Sequence, residues 1–209
     1  NGAGKTTLLR CLAALSQPLT GRIFISGVDV LNDPRAAHRQ VGYLSDFFGL
    51  YRQLTVYQCL AYFARAHNIK KHAEQNAIHK AAERLGIADR LQMKVEGLSR
   101  GLAQRLAIAQ AIVHEPGVLL LDEPASGLDP EARKALSNLF LELRSQGISL
   151  LVSSHILAEL EEYSTSMLIV RQGKIIEHKQ ITHANEEKVF MLLTTVKDYP
   201  GLVTFLQAI

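Results

Sequence analysis

The 209-residue sequence has few cysteines, no long apolar run and no excess of either charge. Cys11 and Cys59 lie far apart and form no C-x-x-C pair, which argues against a disulfide framework or a cysteine metal site and fits a reducing compartment. No apolar stretch approaches the roughly 18 residues that would cross a membrane. The 23 basic and 20 acidic residues are well mixed, so we expect no nucleic-acid-binding face.

The remaining composition is that of an ordinary globular protein, with 47% hydrophobic and 21% charged residues. It excludes a disordered, collagen-like or low-complexity chain. A chain of this size can bury roughly 70% of its unfolded surface, which favours one large domain or a domain with a subdomain.

The first residues match the end of a phosphate-binding loop. Its pattern is G-x-x-x-x-G-K-[ST], and Gly4, Lys5 and Thr6 fill the last three positions. Glycines let backbone N–H groups face phosphate oxygens, and the helix that follows favours anions at its N-terminus. The motif assigns a phosphate contact to Lys5 and an Mg²⁺ contact to Thr6. The predicted phosphate-binding residues are Asn1, Gly2, Ala3, Gly4, Lys5, Thr6 and Thr7. Taken alone, the half-motif also fits a glycine-rich turn before an ordinary helix.

Strand and helix patterns alternate along the rest of the chain. Apolar alternation or continuous apolar runs predict strands at 21–27, 41–45, 118–121, 148–153, 167–171 and 174–176. Caps and helical spacing predict helices that begin at Thr55, run over 72–85, begin at Ser99, begin at Asp129 and run over 156–162. This order predicts an α/β fold with a helix-rich insert after Ser45 and no clear pattern beyond about Gln180.

Two acidic residues follow the apolar run 118–121. Asp122 ends that predicted strand, so we expect it at the carboxyl edge of a parallel sheet, where ligands bind. There it could hold Mg²⁺ directly or through water, or simply cap a helix. Glu123 would point to the opposite side, and a lone glutamate before proline is otherwise a solvated loop residue.

At this point the chain closely resembles the ATP-binding subunits of ATP-binding cassette (ABC) transporters. The motifs occur in the family's order over nearly the whole chain, at residues 1–7, 98–102, 118–124, 126–129 and 153–155. The resemblance implies an α/β fold of the P-loop NTPase (RecA-like) class, with a core formed by residues 1–45 and 105–180. It also implies a helical subdomain over 46–104 and a C-terminal extension over 181–209.

The resemblance implies ATP and Mg²⁺ as ligands and gives several residues a role in hydrolysis. Glu123 would be the general base that polarises water, and His155 would contact the γ-phosphate. Asp46 stands where the family usually has a glutamine and could still bind Mg²⁺. The implied metal ligands are therefore Thr6, Asp46 and Asp122. The other seven histidines lack metal-ligand spacing, so we expect no metal beyond Mg²⁺.

The resemblance further implies a head-to-tail dimer with two ATP molecules between its subunits. The residues expected near the partner's nucleotide are Ser99, Arg100, Gly101 and Asp129, the last also being a predicted helix cap. The usual signature is L-S-G-G-Q, but Arg100 stands at its first glycine and Leu102 at its glutamine. Arg100 would either add positive charge near the partner's γ-phosphate or face solvent. The altered signature affects the expected hydrolysis rate more than ATP binding.

Residues 42–60 and 156–162 look most like the ATPases of the ABC-type-two export class. The family docks its permease at residues 47–51 and 54–56. We therefore expect a peripheral subunit on the cytoplasmic face of the cell membrane, bound to permease subunits and to a second ATP-binding subunit. Two alternatives are a soluble ABC ATPase of translation or DNA repair, and a weakly hydrolysing half of a heterodimer.

The first glycine of the phosphate loop, and the strand that should lead into it, have no counterpart in the sequence. We therefore expect a cassette cut within this loop, with its first strands missing. On this expectation, the 209-residue chain folds poorly and binds ATP weakly.

Overall fold

The computed structural model describes residues 2–156 and 160–181, together with the backbone of 190–193. Asn1 and residues 157–159 of the predicted helix over 156–162 lie outside the described residues. The helices are α1 (Lys5–Leu12), α2 (Pro34–Gln40), α3 (Val56–Ala66), α4 (Lys71–Arg84), α5 (Arg100–Ile112) and α6 (Pro130–Ser145). The strands are β1 (Phe24–Ile25), β2 (Val28–Asp29), β3 (Val41–Leu44), β4 (Val118–Asp122), β5 (Ser149–Ser153), β6 (Ser166–Arg171), β7 (Lys174–Gln180) and β8 (Phe190–Leu193).

A six-stranded sheet organises the described part of the chain, in the order β3-β4-β5-β8-β6-β7. Its first five strands in that order are parallel, and β7 pairs antiparallel with β6. In β4, Leu119, Leu120 and Leu121 are at most 1% exposed. Their burial explains why the sequence of β4 is a continuous apolar run rather than an alternating one. The α/β fold expected from the sequence is confirmed.

The predicted strand over 21–27 is confirmed only at Phe24–Ile25, because the chain turns there into a hairpin. β1 and β2 pair antiparallel, with Ile25 opposite Val28. The two residues between them, Ser26 and Gly27, have φ angles of 50° and 76°. Two consecutive residues at positive φ form a tight turn whose twist matches that of paired strands. The backbone therefore reverses where the apolar alternation suggested that it continued.

Residues 45–117 contain three α-helices and no strand. The predicted capping box is present, since the Thr55 hydroxyl accepts from the Gln58 N–H and the Gln58 side chain accepts from the Thr55 N–H. α4 ends before Gly86, whose φ of 62° suits the residue just beyond a helix. The insert and the sheet share one apolar core, and a second cluster packs α1 and α2 on the other side. The subdomain boundaries at residues 46 and 104 stay a prediction.

The strand β8 has no counterpart in the sequence prediction, which found no pattern beyond about Gln180. It lies between β5 and β6 and pairs with both in parallel. A segment expected to be an extension thus contributes a strand to the sheet. Its short apolar run is ambiguous by periodicity, and only pairing with distant strands identifies it.

Candidate active site

The carboxyl ends of three neighbouring strands meet at one edge of the sheet. Leu44 lies opposite Leu121, and Asp122 lies opposite Ser153. Asp46 and His155, two residues beyond β3 and β5, therefore emerge at the same edge as Asp122. The α1 N-terminus reaches this edge too, since Lys5 contacts residues that follow β4 and β5.

The loop before α1 has the backbone that its glycines were expected to provide. Gly2 and Gly4 have φ angles of 83° and 97°, a region that L side chains rarely adopt. Gly4 also lies close to Gly173, and a Cβ on Gly4 would be 3.3 Å from the Gly173 Cα. The Gly173 N–H donates to the Ala3 carbonyl over 2.8 Å. The turn between β6 and β7 therefore supports this loop, a contact that the sequence did not predict.

Lys5, Glu123 and His155 form one chain of polar contacts. The Lys5 ammonium donates to Glu123 Oε1 over 2.8 Å and to the Ser154 carbonyl over 3.2 Å. His155 Nδ1 donates to Glu123 Oε2 over 2.7 Å. The side chains of Lys5 and Glu123 are 8% and 15% exposed, and that of His155 is 55% exposed. The structure therefore brings together the residues expected to bind phosphate, activate water and contact the γ-phosphate.

Asp122 directly precedes Glu123 and is fully buried, with 0% of its surface exposed. Ser153 Oγ donates to its Oδ1 over 2.5 Å, whereas Oδ2 has no hydrogen-bond partner among the described residues. A buried carboxylate oxygen without a partner is energetically unfavourable, and a bound cation or its water would satisfy it. The donor chemistry at Asp122 thus fits Mg²⁺, which prefers carboxylate oxygens and retains several waters.

The backbone of Glu123 is held in an uncommon conformation, with φ at 50°. Its N–H donates to both the carbonyl and the hydroxyl of Ser153, over 3.1 and 3.0 Å. Such conformations cost energy and persist where the surroundings fix them, often at functional sites. Ser153 therefore holds both acidic residues, a role that its position beside a buried aspartate could have suggested but the sequence analysis did not assign.

The other expected ligands lie around this centre with their side chains accessible. Thr6, Thr7 and Asp46 are exposed, at the start of α1 and just beyond β3. Burial raises the pKa of Tyr43, and the charges of Asp122 and Asp46 raise it further, partly opposed by Arg10. The charges of both carboxylates therefore reach Tyr43, a residue of β3 near the carboxyl edge of the sheet.

The signature residues lie at the N-terminus of α5. Ser99 caps the helix, and its hydroxyl accepts from the Leu102 N–H over 3.3 Å. Leu102 is half-buried and packs against the core, where an apolar side chain is favourable. Arg100 donates to the Ser126 carbonyl over 3.1 Å, a contact that neither alternative for Arg100 anticipated. Asp129 caps α6 as predicted, accepting from the Ala132 N–H over 2.8 Å.

Known proteins that are similar to this chain identify its family. The sequence model of the ABC transporter family matches residues 1–126. The chain belongs to the ATP-binding subunits of ABC transporters. These subunits are ATPases coupled to transport, which confirms the predicted activity and favours it over a role in translation or DNA repair.

Two relatives and one solved structure show the extent of the similarity. The ABC transporter ATP-binding protein NatA of Bacillus subtilis is 34% identical over 84% of this chain and 72% of its own length. The Nod factor export ATP-binding protein I of Burkholderia pseudomallei is 34% identical over 84% of this chain and 58% of its own length. The structure of cbiO1 from Clostridium perfringens, part of the ABC transporter complex cbiONQ, covers 87% of this chain and 74% of its own. Its TM-score is 0.77 at 25% identity.

Among the helices of residues 2–156 and 160–181, none is both long enough and apolar enough to cross a membrane.

Proposed function

We propose that this chain binds and hydrolyses Mg²⁺-ATP as the nucleotide-binding subunit of an exporter, in a dimer docked on permease subunits. The observation that supports it best is the chain of contacts from Lys5 through Glu123 to His155. The triphosphate would lie at the N-terminus of α1, where the backbone N–H groups of the loop face anions. The predicted contacts of Asn1 stay part of this proposal, although Asn1 is outside the described residues.

In this proposal Glu123 acts as the general base for water. In this structure Oε1 of its carboxylate is occupied by the Lys5 ammonium, so this oxygen can accept from water only after Lys5 turns to the phosphates. Both acceptors would compete for the same ammonium, and phosphate carries the greater charge. Once Lys5 turns away, Glu123 keeps its hydrogen bond with His155 and can orient an attacking water. The second nitrogen of His155 would then be available to the γ-phosphate.

Thr6, Asp122 and Asp46 are the residues that would hold Mg²⁺. The carboxylate of Asp122 is fixed by Ser153 and has one oxygen without a partner among the described residues. When bound, the cation would neutralise negative charge that develops on the phosphates. Asp46 and Thr6 are exposed, so they could complete the site without burying further charge.

The proposed dimer places Ser99, Arg100, Gly101 and Asp129 near the nucleotide of the other subunit. Two features support this assignment: the N-terminus of α5 favours anions, and Ser126, in the 126–129 segment, contacts Arg100 directly. ATP would then be enclosed only when two subunits meet. We therefore expect the specific hydrolysis rate to rise with subunit concentration.

An exposed aromatic surface supports docking on a permease. Phe47, Tyr51 and Tyr62 are 92%, 55% and 54% exposed, and the rings of the two tyrosines pack edge to face at 5.8 Å. Aromatic residues are enriched at protein interfaces, and Phe47 directly follows Asp46. Contact there would link the permease to the Mg²⁺ site and hold the subunit at the cytoplasmic face of the membrane. The name of the Nod factor export protein supports the export direction.

The direct test replaces Glu123 by Gln in the full-length subunit. We expect steady-state ATP hydrolysis to fall by about 10²–10⁴-fold, because the amide cannot accept a proton from water. ATP should still bind, and an ATP-bound dimer should accumulate on size-exclusion chromatography. Glu142→Gln, an exposed change on α6, is the matched control and should leave hydrolysis unchanged. Undiminished hydrolysis by Glu123→Gln would remove Glu123 from the base role.

A further inference from the structure

Arg100 joins two parts of the molecule that are distant in sequence. It is the first residue of α5, in the helix-rich insert, and its Nη2 donates to the carbonyl of Ser126 in the loop after β4. Its guanidinium lies against Gly127, in the space that a Cβ would occupy there. Gly127 has a φ of 65°, so the same glycine supplies both the turn and the room for the guanidinium.

Arg100 carries its positive charge at the N-terminus of α5, where that charge needs a partner. A positive side chain at a helix N-terminus is unfavourable, because the helix dipole is positive there. The first turn of α5 contains no acidic residue that would offset Arg100. The carbonyl of Ser126 provides the missing negative partial charge through a charge-assisted hydrogen bond. Arg100 therefore contacts the loop while its surface stays exposed to solvent.

The loop that Arg100 contacts begins at Glu123. The Ser126 N–H donates to the Glu123 carbonyl over 3.0 Å, which closes a turn on the residue with the uncommon backbone conformation. Farther along, the Leu128 carbonyl accepts from Arg133 Nε over 2.9 Å. Arg133 belongs to α6, directly after the loop, whereas Arg100 comes from the helical insert. Two arginines on different elements thus fix two carbonyls of one loop.

We propose that Arg100 is a positioning residue for ATP hydrolysis, which ties the N-terminus of α5 to the turn from Glu123 to Ser126 of the same subunit. The inference rests on the proposed roles of Glu123 and of the dimer. A loop that is already fixed loses fewer conformations when the dimer closes, so the reacting groups are aligned more often. In the proposed dimer the N-terminus of α5 lies near the partner's nucleotide, but the guanidinium is already engaged by the Ser126 carbonyl of its own subunit, so we expect Arg100 to affect kcat more than ATP binding.

The experiment compares Arg100→Ala and Arg100→Lys in the full-length subunit, with the exposed Arg35→Ala as the matched control. We expect Arg100→Ala to lower kcat about 10-fold, because misplacement of groups near the reaction slows it strongly. KM for ATP and the thermal unfolding midpoint should stay at the wild-type values. Arg100→Lys should recover part of kcat, since an ammonium can reach Ser126 but cannot lie flat over Gly127.

Three results would overturn the proposal. An unchanged kcat in Arg100→Ala would show that the contact is not used. A raised KM with an unchanged kcat would show that Arg100 instead binds ATP. If the unfolding midpoint of Arg100→Ala falls together with kcat, lost stability would explain the lost activity, and Arg100 would have a structural role only.

A double-mutant cycle with Gly127→Ala tests the same contact from the other side. The added methyl group would displace the guanidinium, so this change should lower kcat more in the wild type than in Arg100→Ala. Losses that simply multiply would contradict the shared contact. If Glu123→Gln also stays active, the proposed function fails; if only the Arg100 variants behave like wild type, only this inference fails.

Discussion

The carboxyl and amino edges of the sheet both carry histidines, but in different surroundings. At the carboxyl edge, His155 is largely exposed and donates to the Glu123 carboxylate. At the amino edge, His114 donates through Nε2 to the Val41 carbonyl over 3.2 Å and stacks on His67, with ring centroids 3.6 Å apart. Burial, with smaller contributions from the neighbouring His67 and His38, lowers the pKa of His114 to about 4.

The difference lies in the partner that each imidazole has. His155 has the Glu123 carboxylate as its hydrogen-bond partner and is exposed, whereas burial beside another imidazole keeps His114 neutral. The pKa of His67 is lowered for the same reason, chiefly by burial and further by His38. The carboxyl edge therefore keeps charged groups ready for a ligand, and the amino edge removes charge from a packed region.

The largest effect should come from removing the cation of the carboxyl edge. Lys5→Ala removes the predicted phosphate contact and leaves the largely buried Glu123 without its ammonium partner. We expect ATP hydrolysis to fall by at least about 10²-fold, since positioning and charge stabilisation dominate phosphoryl transfer. Lys80→Ala removes an exposed lysine paired with Glu115 and is the control. Equal hydrolysis rates for the two variants would contradict the assignment of Lys5.

Two serines of β5 allow the edges to be compared on one strand. Ser153→Ala would remove the donor to buried Asp122, and the free energy of unfolding should fall by about 1–3 kcal/mol. Ser149 is exposed and lies at the other end of β5. Ser149→Ala should therefore change the free energy of unfolding by less than about 0.5 kcal/mol. Urea unfolding measures both. Equal losses would mean that the polar contacts at the carboxyl edge add no stability.

His114, at the amino edge, should affect the stability of the protein only at acidic pH. The pKa of His114 falls from 6.5 to about 4 on folding, so the unfolded chain binds more protons between these values. Stability is then fully present above about pH 6.5 and is lost as the pH falls toward 4. Through this histidine, the free energy of unfolding should be about 1 kcal/mol lower at pH 5.5 than at neutral pH.

Urea unfolding at several pH values measures this loss, and His114→Phe should flatten the profile because the ring no longer titrates. An unchanged profile in that variant would assign the acid sensitivity to other groups. At neutral pH the same substitution removes one hydrogen bond to Val41, so the comparison is of slopes rather than of absolute stability.

Local rules predicted most of the helices and the central strand. The cap at Ser99, the capping box at Thr55 and the Asp129–Pro130 start of α6 depend on neighbouring residues only, and all are present. The run that forms β4 was equally clear, because burial on both faces demands apolar residues throughout. The roles proposed for Glu123 and His155 came from the order of motifs rather than from either residue alone.

Contacts between distant residues were beyond the reach of the sequence. Ser153 bonds to Asp122 across neighbouring strands, and Arg100 bonds to a carbonyl 26 residues away. Apolar alternation could not reveal the reversal at Ser26 and Gly27, since it reports burial rather than turn geometry. Likewise, β8 is defined by pairing with β5 and β6, which the chain reaches only after folding.

Single-turnover hydrolysis tests the central claim most directly, namely that Glu123 activates water at the carboxyl edge. Excess full-length subunit would be mixed with Mg²⁺-ATP, and the conversion of bound ATP to ADP followed by acid quench. We predict that Glu123→Gln keeps its bound ATP intact over the time in which wild type and Glu142→Gln convert theirs. Conversion at the wild-type rate by Glu123→Gln would contradict the account, because product release and dimer opening do not limit this measurement.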